Sequence, residues 1–160
     1  MAENGFFAVV PDFFKGNPWK PERGNMASSE FFEWFALWKD SKQEEIDEDF
    51  KVVERYLRED KKFSKVGVVG VSWGGLSAIR QMWRGNIDVG VSMHGILVSP
   101  DSATRCKGPV LYICSELDKF VTFTVLKKTK KAIDYHSKKI DAEFQFFKTV
   151  AHGFANSDFL

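Results

Sequence analysis

Cysteine is scarce in this chain. Its 160 residues hold two, Cys106 and Cys114, too few for a disulfide scaffold, and no Cys/His spacing suits a metal site. Charge of one sign is missing as well. Twenty-three Lys and Arg face 22 Asp and Glu, a net of +1, which argues against a nucleic-acid or anionic-membrane partner. No apolar run approaches the roughly 20 residues that span a bilayer. Met1–Gly5 also lacks the basic-then-apolar pattern of a secretory signal. The expectation is a cytoplasmic protein with reduced thiols, no metal and no organic cofactor. Apolar residues are plentiful at 44%, with 16 Phe and 5 Trp. That suffices for one domain with its own core, which we place at residues 1–160.

Along the chain, Phe6–Val10 is a short apolar run stopped at Pro11-Asp12, the pattern of a buried strand. Lys15–Asn25 collects Gly and Pro and is a loop. Phe31, Trp34, Phe35 and Trp38 recur at helical spacing. Ile46, Phe50, Val53 and Leu57 do so as well, behind an acidic first turn, so two helices are predicted. Val66–Val71, Asp88–Met93, Pro109–Cys114 and Glu143–Val150 read as strands. Leu76–Arg84, closed by Gly85-Asn86, and Thr124–Ser137 read as helices, the latter with Val125, Leu126, Ala132 and Ile133 inward. Alternation of this kind predicts a mostly parallel sheet flanked by helices, an α/β domain covered on both faces. The ends do not match a complete domain: "MAENG" reads as the last turn of a helix with a glycine stop, and "SDFL" has no closing helix after it.

Within "KVGVVGVSWGGLSAIR" a strand breaks at Ser72 and a helix follows. Gly70, Ser72 and Gly74 match Gly-x-Ser-x-Gly, a sharp strand-to-helix turn that presents a hydroxyl at the C-terminal sheet edge. Glycines flank such a turn because side chains would clash there. The same residues also suit a tight turn whose serine only caps the helix. A nucleophilic serine needs a base and an orienting acid, and both lie downstream. Asp118 follows the strand of "PVLYICSELDKF", and His152 follows that of "FQFFKTVAHGFAN". The chain has only three histidines, so one in that loop is informative.

With these pieces in family order, "GFFAVVPDFFKGNPW", "KVGVVGVSWGG", "VGVSMHG", "LYICSELDKFV" and "VAHGFAN", the chain resembles the dienelactone hydrolase family, a branch of the α/β-hydrolase fold. The resemblance implies Ser72 as nucleophile, Asp118 as orienting acid, His152 as base and the Trp73 backbone amide as oxyanion donor. It also implies a small-molecule ester or lactone as substrate. The family nucleophile is usually cysteine, and here it is serine, which depends fully on its general base. Family members carry N-terminal strands that precede Met1 in register, including one between the strands of Phe6–Val10 and Val66–Val71. The loop after it supplies the second oxyanion amide. Asn156 stands where some members use arginine for a substrate carboxylate. The expectation is ester or lactone hydrolysis. The alternatives are a non-catalytic hydrolase-fold binding protein and an inactive truncated product.

His94, in "SMHG", is either a lining residue of the substrate pocket or a hydrogen-bonded structural histidine. Glu116 is the other acid near Asp118. His136 reads as a surface residue and Cys114 as a buried small apolar one. Lys127, Lys128, Lys130 and Lys131 read as the solvated face of a helix. The aromatic helix Phe31–Trp38 is either core or the wall of a pocket.

Overall fold

The computed structural model describes residues 2–24, 28–136 and 141–155. They fall into two compact units, Met1–Lys62 and Phe63–Leu160.

In the first unit the chain opens with a 3-10 turn, Ala2–Asn4, which stops at Gly5 with φ +80°. The glycine stop expected from "MAENG" is present, after a single 3-10 turn. Phe6–Val10 is not a strand. It has no regular structure, with Phe6 68% and Val10 94% exposed. A strand exists through its ladder of hydrogen bonds, and among the described residues no segment pairs with this one. The Asp12 carboxylate then accepts from the Phe14 and Gly16 amides at 3.1 and 2.7 Å and closes a turn. Helix α1, Ser29–Ala36, begins where the Ser28 side chain accepts from the Phe31 amide. It runs on into a π turn, Leu37–Ser41. Helix α2, Gln43–Arg55, carries Glu44 and Glu45 in its first turn, where the helix dipole favours them. Aromatic rings fill this unit. Phe14 meets Trp34 and Trp38 at 5.0 and 5.2 Å, and Phe13 meets Phe50 at 4.6 Å. Trp38 and Ile46 are buried.

The second unit is an α/β sheet structure. Strands β1 (Gly67–Val71), β2 (Val89–Met93), β3 (Val110–Ser115) and β4 (Ala142–Phe147) pair in parallel in the order β1-β2-β3-β4. Between them run α3 (Trp73–Arg84), α4 (Pro100–Thr104) and α5 (Phe123–His136). α3 buries Ala78, Ile79 and Met82, and Met82 packs closely over Gly90, where a Cβ would lie 2.8 Å from its Cγ. It ends at Gly85 in the left-handed conformation, φ 78°. Val69 and Val89 remain 42% and 45% exposed, so the expectation that both faces of the sheet are covered fails at β1 and β2. Burial there follows the period-two pleat because α3 covers the face of Gly70 and Gly90.

Two boundaries also move. β4 ends at Phe147, before the predicted Val150, and the chain turns at Lys148. α3 begins at Trp73 rather than Leu76. Helix α4 was not predicted. Its signature is a capping box, in which Ser99 and Ser102 each bond the other's backbone amide, with Pro100 in the first turn. On α5, Leu126 and Ile133 are buried and Val125 and Ala132 half-buried, while Lys127, Lys128, Lys130 and Lys131 are exposed. His136 is exposed too. No described helix is long and apolar enough to cross a membrane.

Candidate active site

Four loops leave the C-terminal edge of the sheet, and each carries a residue of interest. Ser72 follows β1 directly. Its backbone lies at φ 54°, ψ −118°, a conformation that costs a non-glycine residue about 1–3 kcal/mol and persists only where its surroundings hold it. Hydrogen bonds hold it here. The Ser72 amide donates to the Met93 carbonyl at 3.0 Å, and the Ser72 carbonyl accepts from the Gly75 and Ile96 amides at 2.9 and 3.1 Å.

The glycines divide the work unevenly. A Cβ on Gly70 would overlap the Gly74 carbonyl and lie 2.8 Å from the Gly75 nitrogen. One on Gly75 would lie 2.6 Å from the Gly95 Cα, whereas one on Gly74 would meet nothing within 4 Å. The turn therefore requires Gly70 and Gly75. Contrary to the expectation that the glycines on both sides of Ser72 avoid clashes, Gly74 has no steric role: the first turn of α3 points that position into open space.

Ser72 does not cap α3; its side chain makes no hydrogen bond to the helix backbone. Its hydroxyl lies 2.8 Å from His152 Nε2, and His152 Nδ1 lies 2.8 Å from Asp118 Oδ2. An ionised carboxylate only accepts, so Nδ1 carries the proton and donates to Asp118. Nε2 of the neutral ring is then left to accept from the Ser72 hydroxyl. Asp118 Oδ1 accepts from the Phe120 and Val121 amides at 2.7 and 3.1 Å. Burial alone would raise the Asp118 pKa. The hydrogen bonds from His152, Val121 and Phe120, with the attraction of His152, outweigh it and hold the carboxyl below its usual value. Of the two acids in this loop, Asp118 is the one that bonds the imidazole. Glu116 instead donates its amide to the Phe147 carbonyl at 3.0 Å. The histidine loop is tied down from β3, where the Ser115 hydroxyl donates to the Val150 carbonyl.

The His152 ring is held between aromatic neighbours, with Phe120 at 4.7 Å and His94 at 4.6 Å between centroids. His94 follows β2 with φ 35° and is 3% exposed. Its amide donates to the Ile113 carbonyl at 2.7 Å. Burial, with the nearby His152, lowers its pKa, so the ring stays neutral. Cys114, a residue of β3, is buried and its thiol is pushed up by burial to about 12, that of Cys106 to about 11, so neither is a reactive thiolate. Trp73 is the first residue of α3. Asn156 lies outside the described residues. No group of three or more His, Cys, Asp or Glu among the described residues is placed to hold a metal ion. Phe120, Phe154 and Ser92 around this site carry no signal in the sequence, since their packing depends on which strands become neighbours.

Serine, then acid, then histidine, each after its own strand of one parallel sheet, is the chain order that separates α/β hydrolases from the chymotrypsin and subtilisin versions of the same trio. Fold and site together put this chain in that class. A family profile described as the dienelactone hydrolase family matches residues 1–159, and the chain belongs to that family. The carboxymethylenebutenolidase homolog of Xenopus tropicalis is 29% identical over 158 residues, covering 98% of this chain and 61% of that protein. The Homo sapiens homolog is 30% identical over 158 residues, covering 98% and 62%. The chain thus spans about three fifths of the length of these curated relatives. Among solved structures, a Pyrococcus furiosus esterase superposes with a TM-score of 0.59 at 16% identity, over 69% of this chain and 55% of that one. That likeness is one of fold.

Proposed function

We propose that this chain carries the catalytic residues of a hydrolase acting on small carboxylic esters or lactones, with Ser72 as nucleophile. The observation that supports this most directly is the continuous line Ser72–His152–Asp118, two contacts of 2.8 Å each, ending at a strained serine. In this reading His152 Nε2 takes the Ser72 proton as Oγ bonds to the substrate carbonyl carbon, and the carbonyl π electrons move onto oxygen. The Trp73 amide, at the N-terminus of α3, is assigned to the resulting oxyanion, where amide and helix dipole both favour negative charge. Collapse expels the alkoxide, which leaves with the proton from His152. A water then repeats the sequence: its proton goes to Nε2, its oxygen bonds to the acyl carbon, and the acid departs as Ser72 recovers its hydrogen. Asp118 keeps His152 in the working tautomer and offsets the charge of the imidazolium.

The curated relatives are named for carboxymethylenebutenolidase, which makes a lactone the first substrate class to try. The test is labelling with a serine-directed fluorophosphonate alongside hydrolysis of small aryl esters. Wild-type chain should label and turn over. Ser72→Ala should lose labelling and lower kcat by about 10⁶-fold, as for the nucleophile of a serine hydrolase. Undiminished labelling of the variant would place the nucleophile elsewhere.

A further inference from the structure

Asp118 also borders a cavity of about 10 Å³, with Ser92, His94, Tyr112 and Cys114 among its other walls. Every residue lining it is buried. Such a space holds about one water, provided two to four polar partners face it. Two buried side chains on its wall have polar atoms without a protein partner. They are Ser92, 2% exposed, through its hydroxyl, and His94, 3% exposed, whose ring nitrogens form no hydrogen bond to any other residue. Asp118 contributes a third group. Its carboxylate has about four acceptor sites, and three are occupied by Phe120, Val121 and His152.

Charge fits as well. His94 is neutral, so it offers one N–H and one lone pair. The Cys114 thiol is pushed up to about 12 and the Tyr112 hydroxyl is also shifted upward by burial. Asp118 is therefore the one ionised group on this wall. Leaving buried donors and acceptors unpaired in such a place is costly.

We propose that the cavity is a water site, and that one water bridging Ser92, His94 and Asp118 makes His94 a positioning residue for the triad. The water accepts from the His94 N–H, donates to the last acceptor site of Asp118 and exchanges a hydrogen bond with the Ser92 hydroxyl. The carboxylate is then fixed by the water as well as by His152. The edge-on ring contact from His94 to His152 is made by the same residue, so both members of the pair are referenced to β2. The inference rests on reading Asp118–His152 as the working pair, so its test must not depend on turnover.

The test follows the low-field proton resonance of His152 Nδ1 in the full chain, together with kcat and KM for an aryl ester. His94→Phe keeps a ring and removes both nitrogens; His94→Gln keeps donor and acceptor and removes the ring. The expected result is a displaced resonance and a kcat about tenfold lower in His94→Phe with KM little changed, and near-wild-type behaviour in His94→Gln. Ser92→Ala should displace the resonance in the same direction. The double variant Ser92→Ala/His94→Phe should be no worse than His94→Phe alone, because both lose the same water. The reverse ranking, with Phe tolerated and Gln impaired, would show that the ring only packs, and would overturn the proposal. So would an unmoved resonance in Ser92→Ala, which decides the matter if His94→Phe does not fold. Absence of turnover in the wild-type chain would defeat the esterase reading, while the resonance would still decide this one.

Discussion

Residues 1–62 and residues 63–160 fold by different means. The first unit has two amphipathic helices and a loop whose rings fill the space between them, with Phe14 touching both Trp34 and Trp38. Few of its side chains are fully buried. The second unit has a hydrogen-bonded sheet, and its core runs through Ile79, Met82, Val110, Tyr112, Leu126 and Ile133. Every residue of the candidate triad belongs to the second unit. The contrast shows what each kind of packing can do: aromatic contacts tolerate a range of angles, here from stacked to edge-on, whereas parallel strands fix their ends to a common edge. A site that needs two successive contacts of 2.8 Å suits the second kind.

The strongest way to break the sheet unit is through its turn. Gly70→Ala would force a Cβ into the Gly74 carbonyl, and should destabilise the unit by more than about 4 kcal/mol, the range of backbone clashes with nowhere to relax. Urea unfolding followed by near-ultraviolet dichroism would measure it; a loss under about 1 kcal/mol would mean the turn is softer than it looks. The matching cut in the other unit is Trp38→Ala. It should cost about 3–5 kcal/mol, the usual range for a buried aromatic, read as lost hydrogen-exchange protection in α1 and α2. Unchanged protection there would mean the rings are not what holds the helices.

Acid should act on the sheet unit through two of its buried groups, His94 and Asp118. His94 has a lowered pKa in the folded state, so above about pH 6.5 neither state protonates it. Below that the unfolded chain binds a proton that the folded chain refuses, and stability falls. Asp118 is also lowered. Its contribution is complete above the unfolded aspartate value, about 3.9, and is lost as pH drops through the folded value. Thermal melts across pH should therefore fall in two stages, and His94→Gln should remove the upper one. The smallest effect is expected at Gly74→Ala. With open space at that position and a helical setting, it should stabilise by about 0.5–1 kcal/mol. Set beside Gly70→Ala, it separates the glycine the turn requires from the one that merely completes the pattern.

Much of this was legible in the sequence, and the reasons differ by element. β1, β2 and β3 announced themselves as apolar runs bounded by turn residues, and α2 by its spacing and acidic first turn. Ser72, Asp118 and His152 stood out because each follows a strand and a parallel sheet gathers such ends. Phe6–Val10 misled, since an apolar run specifies a strand only when a neighbour offers a ladder. Helix α4 was missed although Ser99, Pro100 and Ser102 carry its capping signal; five residues are too few to show a period. The surroundings of His152 were beyond reach. Nothing in the spacing of His94, Phe120 and Phe154 states that their rings will meet, because those contacts arise from strand order and loop path.

That strand order has a consequence for how the protein is made. Each parallel crossover adds the next strand beside the last, so a chain emerging from the ribosome can lay down the sheet from one side to the other. The serine arrives with β1 and is buttressed as soon as β2 and the loop after it dock, through Met93 and Ile96. The imidazole comes only behind the fourth strand. The hydroxyl thus waits 80 residues for its imidazole, and the three side chains meet only once β4 is in place.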